Sequence, residues 1–334
     1  MPDPSVTVVI PTLTADVTLL ECLRSLENQT RRDFEVIVVD NSGRLVRERN
    51  AAPRARVIEN PTNVGFGAAA NQGFRASSAP YLATLNDDAV AHPEWIAALL
   101  AAVETREDVG MCASNVRLFP QGDMDSAGMR IAADGSSKQR GHREPPERYR
   151  SPDEVLLPSG SAALYRRRML EQIGLFDEDF FLYCEDTDLG LRARWAAWRC
   201  LYVPDAVVDH HYSHSAGRVS ALKAYYVERN RLFTVIKNFP PGPLLAVPFA
   251  AIARYIWHAV FMLQGRGVGA EYQRQGSAFS LVWFVVKAHL GAVAKLGSLW
   301  AKRRRIQSTA RITPAEFTAL MSRYAISVRE VALL

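Results

Sequence analysis

Cysteine is scarce in this chain: four residues in 334, Cys22, Cys112, Cys184 and Cys200, with no C-x-x-C pair. That excludes a disulfide-stapled miniprotein, argues against a zinc ribbon or a thioredoxin-type motif, and fits a reducing compartment. Internal repeats and low-complexity segments are missing, and so is a basic leader. The opening MPDPSVTVVIPT has only a short apolar run and reads as a first strand, not a signal peptide. What is present is an ordinary globular mix, 48% hydrophobic and 22% charged. A sizeable core is therefore within reach, which excludes a fully disordered chain and a collagen-like fibre. The length suggests two units, or one α/β domain with an extension.

Strand and helix patterns alternate through the first half. Buried strands are expected at Val6–Ile10, Glu35–Val39, Arg56–Glu59 and Tyr81–Asn86, and helices at Asp16–Asn28, Gly65–Ser77 and His92–Glu104. This rhythm predicts a largely parallel sheet covered by helices. Residues 119–154, rich in Gly, Pro, Ser and charge, are expected as a long loop or a small antiparallel excursion. A strand over Val155–Tyr165 is broken by Ser159-Gly160-Ser161. A helix over Asp186–Trp198, short strands at Leu201–Val203 and Ala206–Val208, and a long helix over Val219–Asn238 follow.

Charge is divided unevenly. From Phe239 onward there are twelve Lys and Arg against three Asp and Glu, a net of +9, whereas residues 1–238 carry −4. Two apolar stretches, Pro243–Leu263 and Ala278–Trp300, fall in this basic tail. Arg254 and His258 share one helical face, as do Lys287, Lys295, Ser298 and Lys302. Charged stripes on apolar helices predict a helix lying on anionic lipid rather than crossing it. The expected division is a catalytic body at 1–238 and a helical, membrane-associating region at 239–334. Cutting the chain after about residue 240 would then release it from membranes and leave donor binding mostly intact.

Four motifs carry chemistry. Asp40 ends one predicted strand and Asn86-Asp87-Asp88 ends another, where open α/β sheets place ligands. Clustered carboxylates there invite a hard divalent ion. Gly65-x-Gly67-x-x-Ala70 matches a dinucleotide fingerprint, but Pro61-Thr62-Asn63 separates it from the preceding strand and two strands come earlier. A turn opening an Ala-rich helix, or a backbone approach to a phosphate, suits it better. Glu185, Asp186 and Asp188 crowd a helix start. The helix dipole lowers their pKa and their mutual repulsion raises it, so a carboxylate there could serve as a general base. Asp209-His210-His211-Tyr212-Ser213-His214 puts three histidines just after a strand, a pattern open to metal binding.

In this order the pieces resemble family 2 glycosyltransferases of the GT-A fold, especially bacterial rhamnosyltransferase-like members acting on lipid-linked sugars. The stretches VTVVIPTLTA, VIVVDNSG, NVGFGAAANQGF, LNDDA, LPSGSAALYRR, FDEDFFLYCEDTDLGLRARWAAW and VVDHHYSHSAGR carry it, over about residues 5–238. The resemblance implies a Rossmann-like, mostly parallel central sheet flanked by helices. It places Pro11, Thr12 and Asp40 at the nucleotide, Asn71 as a further nucleotide contact, and Asp88 with His210 at a Mg²⁺ or Mn²⁺ ion. Asn86 stands where the family has its first motif acid, and Asp87 becomes a donor contact. Asp186, with Glu185 beside it, matches the catalytic base. Gly160, Ser161 and Asp188 fall near the sugar and acceptor. Arg229-Asn230 is a family-like pair without an assigned role.

The implied activity is inverting transfer from a nucleotide-sugar, with dTDP-rhamnose as the first donor and UDP-sugars as the alternative. The acceptor would be a hydroxyl of a glycan or polyprenyl-linked sugar, at the cytoplasmic face of the membrane. A catalytically silent sugar-nucleotide-binding subunit is the competing reading, motivated by Asn86. An NAD-dependent oxidoreductase would need the glycine fingerprint. Nucleic-acid binding is not expected, because the basic residues sit among apolar runs without interleaved stacking aromatics.

Overall fold

The computed structural model describes residues 4–211, 221–267 and 278–334. Tyr212, Ser213 and His214 of the histidine cluster, and the expected helix start at Val219, lie outside them. In chain order the strands are β1 (Val6–Thr12), β2 (Phe34–Asp40), β3 (Arg56–Glu59), β4 (Tyr81–Leu85), β5 (Ala89–Ala91), β6 (Val109–Leu118), β7 (Met124–Ser126), β8 (Met129–Ile131), β9 (Ser137–Gln139), β10 (Asp153–Val155), β11 (Ala162–Arg166) and β12 (Arg199–His210). The helices are α1 (Val17–Glu27), α2 (Leu45–Glu48), α3 (Phe66–Ala76), α4 (Trp95–Glu104), α5 (Arg167–Ile173), α6 (Glu185–Trp195), α7 (Ala221–Asn238), α8 (Pro241–Leu263), α9 (Ala278–Ala294), α10 (Leu296–Ser308), α11 (Pro314–Arg323) and α12 (Val328–Leu333).

Two compact units result. The first comprises Met1–Met129, Gln139–Phe181 and Trp198–Ser215, and the second Arg130–Lys138, Leu182–Ala197 and Ala216–Leu334. The first unit is a mixed α/β sheet in the order β10-β12-β6-β11-β4-β1-β2-β3, with β5 on β12 and β7 on β6. The expected strands at 6–10, 35–39, 56–59 and 81–86 form the parallel run β4-β1-β2-β3, and β6 and β12 pair in parallel as well. The apolar runs of β1 and β4 are buried on both faces, as a helix-covered parallel sheet requires, and burial falls off through β2 to β3 at the edge. Gly73 of α3 meets β1 so closely that an added Cβ would lie 2.4 Å from Val9.

The rest departs from the sequence pattern. The single strand expected over 155–165 is two, β10 and β11, on opposite sides of β12 and β6. The two short strands expected at 201–208 are one strand, β12, with a register break between Val203 and Val207. Strand β6 carries no β-branched run to announce it. Its Ser114 and Asn115 are buried because Trp95 Nε1 donates to Ser114 Oγ at 2.9 Å and Asn115 Nδ2 donates to the Pro204 carbonyl at 2.8 Å. Residues 119–154 hold β7, β8 and β9, the antiparallel excursion of the two expectations.

The second unit is helical. Trp195 of α6 stacks on Phe317 of α11 with ring centroids 4.1 Å apart, and Arg311 N–H donates to the Trp195 carbonyl. Ile131 exchanges backbone bonds with Tyr324 and Ile326. Among the described residues, α8 is the one helix long and apolar enough to cross a membrane. The second apolar stretch bends by 64° between Ala294 and Leu296. Arg254 is not part of a lipid-facing stripe. It is buried and ion-paired with Asp134 and Glu228, because its helix turns that face inward. Lys287 and Lys295 are exposed, and so are Leu245, Phe249, Ile252 and Ile256 on α8.

Candidate functional site

Parallel β1, β2 and β4 deliver Pro11-Thr12, Asp40 and Asn86-Asp87-Asp88 to one edge of the first unit's sheet, the carboxyl ends of the strands. After β4 the chain turns at once, with Ala89 N–H on the Asn86 carbonyl, and re-enters as β5. Strand β5 pairs antiparallel with the end of β12, setting His210 opposite Ala89. His210 Nε2 therefore stands 3.1 Å from Asp88 Oδ1 and 3.2 Å from the Asn86 amide nitrogen. Its other nitrogen, Nδ1, lies 2.9 Å from Asp125 Oδ2, and Asp125 Oδ1 lies 3.1 Å from His142 Nδ1. Burial opposes a charge on His210, but the hydrogen bonds and charges of Asp125 and Asp88 prevail and raise it to about 10. Burial would raise the Asp125 pKa, and the two imidazoles hold it below the ordinary value. Neither Asp125 nor His142 stands out in the sequence. The only signal is acid and histidine inside the Gly- and Ser-rich segment 119–154.

Asp87 is buried and pushed up to about 6 by that burial and by Asp88, partly offset by a 2.5 Å hydrogen bond from Thr12 Oγ1. The Ser161 carbonyl accepts from Asn86 N–H at 2.8 Å, which brings Gly160 and Ser161 to the same turn. Asp40 and Asn71 reach the expected region but serve the protein itself. The Asp40 carboxylate is fully buried and accepts from Ser42 N–H, Ser42 Oγ and Val46 N–H, closing the loop into α2. Asn71, also fully buried, ties α3 to Phe176 and Glu178 with three bonds of 2.9–3.0 Å. Both side chains are occupied by bonds within the protein. Gly65 is no dinucleotide turn. Its φ is +87°, and an added Cβ would sit 2.3 Å from the Phe181 carbonyl, so it seats α3 against that segment.

In the second unit, Tyr183 and Cys184 enter α6 with φ of 69° and 65°. This strained approach is held by Asn230 of α7, whose amide donates to the Leu182 and Tyr183 carbonyls, both at 2.8 Å. That gives the Arg229-Asn230 pair a role. Asp186 is half-buried, with Oδ1 2.6 Å from Thr187 N–H, and Thr187 Oγ1 is 2.8 Å from Ser137 Oγ. Glu185 is buried, its Oε2 meets no hydrogen-bond partner among the described residues, and burial with the Asp186 charge raises it to about 8. It is therefore a neutral acid at pH 7. Asp188 is held within the fold. It is 0% exposed and bound to Lys237 (2.7 Å), Arg192 (2.9 Å) and Asn238 (2.8 Å), an anchor between α6 and α7.

Among the described residues no group of three His, Cys, Asp or Glu surrounds one point. Asp88 and His210 still fit a hard divalent ion. Their facing atoms are 3.1 Å apart, the spacing of adjacent ligands at bonds of about 2.1 Å. Asp125 supplies the carboxylate that orients a ligating imidazole from behind. The remaining positions would fall to water and phosphate oxygens.

An acid-lined edge at the carboxyl ends of the strands is where enzymes built on such an α/β sheet place their ligands. The chain belongs to glycosyl transferase family 2, whose description matches residues 7–174, half of its length, and it is an inverting glycosyltransferase. The N-acetylglucosaminyl-diphospho-decaprenol L-rhamnosyltransferase of Mycobacterium tuberculosis is 32% identical over 227 residues, 59% of this chain and 72% of that protein. The fold matches GalNAc-T7, solved with UDP, GalNAc and Mn²⁺, with a TM-score of 0.59 at 16% identity, covering 89% of this chain and 58% of that one. It also matches the mannosyltransferase PcManGT from Pyrobaculum calidifontis, solved with GDP-Man and Mn²⁺, with a TM-score of 0.51 at 17% identity, covering 99% and 87%.

Proposed function

We propose that the protein transfers L-rhamnose from dTDP-rhamnose to a hydroxyl of a polyprenyl-diphosphate-linked sugar, at the inner face of the cell membrane, in cell-wall or polysaccharide synthesis. The observation that carries the reading is the Asp88–His210–Asp125 arrangement at the end of β4. The mycobacterial relative's name supports the sugar and the acceptor class. The Mn²⁺ in both fold neighbours supports a divalent ion, Mn²⁺ or Mg²⁺, at Asp88 and His210. Such an ion offsets charge on the departing diphosphate.

The chain's own groups do the rest. Asp125 fixes the His210 ring, and Thr12 holds Asp87 at the end of β4. Asp186 takes the proton of the acceptor hydroxyl as its oxygen bonds to the anomeric carbon. The bond from that carbon to the diphosphate oxygen breaks, the nucleoside diphosphate leaves, and configuration inverts. General-base assistance of this kind contributes roughly 10²–10⁴ in rate. Neutral Glu185 spares Asp186 a second negative charge next to it. Residues 1–238 carry the donor site in this reading, and the region after 239 faces the membrane.

Calorimetric titration with dTDP and with UDP, each with and without Mn²⁺, tests it. Metal-dependent binding of dTDP, lost in Asp88→Ala and His210→Ala, is expected. Preference for UDP would move the donor to a UDP-sugar. No binding of either by folded protein would sink the site.

A further inference from the structure

The transfer reading leaves the β8–β9 hairpin without a task. Residues 130–138 of it belong to the second unit, as α6 and α7 do. The hairpin is pinned at several points. At its turn the Asp134 carboxylate is 0% exposed, accepts from Ser136 N–H and Ser136 Oγ, both at 3.0 Å, and pairs with Arg254 of α8. The Asp134 carbonyl accepts from Arg231 of α7. Gly135, with φ of +90°, sits so close to α7 that an added Cβ would lie 2.2 Å from Val235. On the other strand Ile131 bonds Tyr324 and Ile326. The hairpin is therefore fixed to α7 and α8 where β9 meets α6.

Ser137 makes that meeting. Its Oγ lies 2.8 Å from Thr187 Oγ1. Thr187 is 1% exposed, and both of its donors converge on Asp186 Oδ1, the N–H at 2.6 Å and Oγ1 at 3.2 Å. A hydroxyl has one hydrogen to give. With that hydrogen on Asp186, Thr187 Oγ1 meets Ser137 as an acceptor, so Ser137 donates. The result is a directed chain from Ser137 through Thr187 to Asp186, in which each bond polarises the next.

We propose that Ser137 is a positioning residue for the transfer: through Thr187 it fixes the direction of the Asp186 carboxylate that receives the acceptor's proton. The inference rests on the reading that Asp186 is the general base. A base must stand in line with the proton it takes, and small misplacements are costly in rate. Hydrogen bonds to a carboxylate also favour its ionised form, the form a base needs.

The test uses the full chain with dTDP-rhamnose as donor and farnesyl-diphosphate-linked N-acetylglucosamine as acceptor, and reads dTDP release against pH. Ser137→Ala should lower kcat about 3–10-fold, the rate equivalent of one hydrogen bond, with the donor KM unchanged. The acidic limb of its kcat profile should move to higher pH, because the carboxylate loses support for its charge. Ser137→Thr keeps the hydroxyl on a residue suited to a strand and should restore both. Ser136→Ala removes the neighbouring hydroxyl, which serves Asp134, and should leave the profile in place. In an Asp186→Asn background, Ser137→Ala should change turnover no further. Carbon-13 spectra of labelled aspartate need no substrate. With the Asp186 signal assigned from Asp186→Asn, its titration midpoint should rise by up to about one pH unit in Ser137→Ala. An unmoved midpoint overturns the relay, and leaves the base reading standing where Asp186→Asn has lost turnover. Near-normal turnover by Asp186→Asn overturns the base reading and the proposal with it. Equal rate loss in Ser137→Ala and Ser137→Thr, or an equal shift of the limb in Ser136→Ala, makes Ser137 a contact of the fold alone and overturns the proposal.

Discussion

Replacing Asp125 by asparagine should lower the metal-dependent affinity for nucleoside diphosphate by about 10–100-fold, measured by titration with Mn²⁺, since the carboxylate acts through the His210 ring. Asp186→Asn should keep nucleotide affinity and reduce kcat by roughly 10²–10⁴. Glu185 gives a pH signature of its own. Its carboxyl titrates at about 8 in the folded chain against an ordinary 4.5, so the folded state holds a proton that the unfolded chain has released. Stability therefore falls as pH rises through that window. Thermal melts from about pH 5 to 8 should show Glu185→Gln gaining on the wild type as pH rises, and parallel curves would refute the assignment. Residue types singled out Asp88, Asp87, His210 and Asp186 in the sequence, and the structure brings Asp88 and His210 together. They could not say which carboxylates the fold consumes. Asn71 and Asp188 look like ligands in the sequence, and only long-range partners such as Phe176 or Lys237 show them bracing the fold, whereas Asp40 is taken up locally by Ser42 and Val46. Asp125 and His142 were hidden for the converse reason. Their segment resembles a loop until β7 pairs with β6.

The entry to α6 is where local structure decides the site. Asn230→Ala leaves the Leu182 and Tyr183 carbonyls without their donor, a cost of about 1–3 kcal/mol. We expect a lower kcat with nucleotide affinity retained, and a fall in nucleotide affinity instead would mean that Asn230 serves the donor. The parallel strands were readable because their β-branched runs are short, wholly apolar and closed by polar residues. Strand β6 was not, because its burial rests on paired polar groups such as Ser114 with Trp95, which hydrophobic patterning ignores. The same limit merged β10 with β11 and split β12.

The charge division between residues 1–238 and the tail belongs to the whole molecule. Helix α8 exposes Leu245 (77%) and Phe249 (76%) on the face that also carries Ile252 and Ile256. Co-sedimentation with anionic vesicles should be salt-sensitive and should be lost in a Leu245→Glu, Phe249→Glu double variant, while neutral vesicles bind weakly throughout. Retention by that variant would remove α8 from the interface. The truncation expected from sequence to spare the site is a poor test, since α11 supplies Phe317 to Trp195 at the end of α6. That stacking also sets an order in time. A ribosome adding about 5–20 residues per second reaches Phe317 on the order of ten seconds after Trp195. Until then the helix that bears Asp186 lacks its far support. On the proposed assignment, the growing chain would complete its donor edge early and its proton acceptor late, and a half-made enzyme would hold a sugar nucleotide it is not yet equipped to spend.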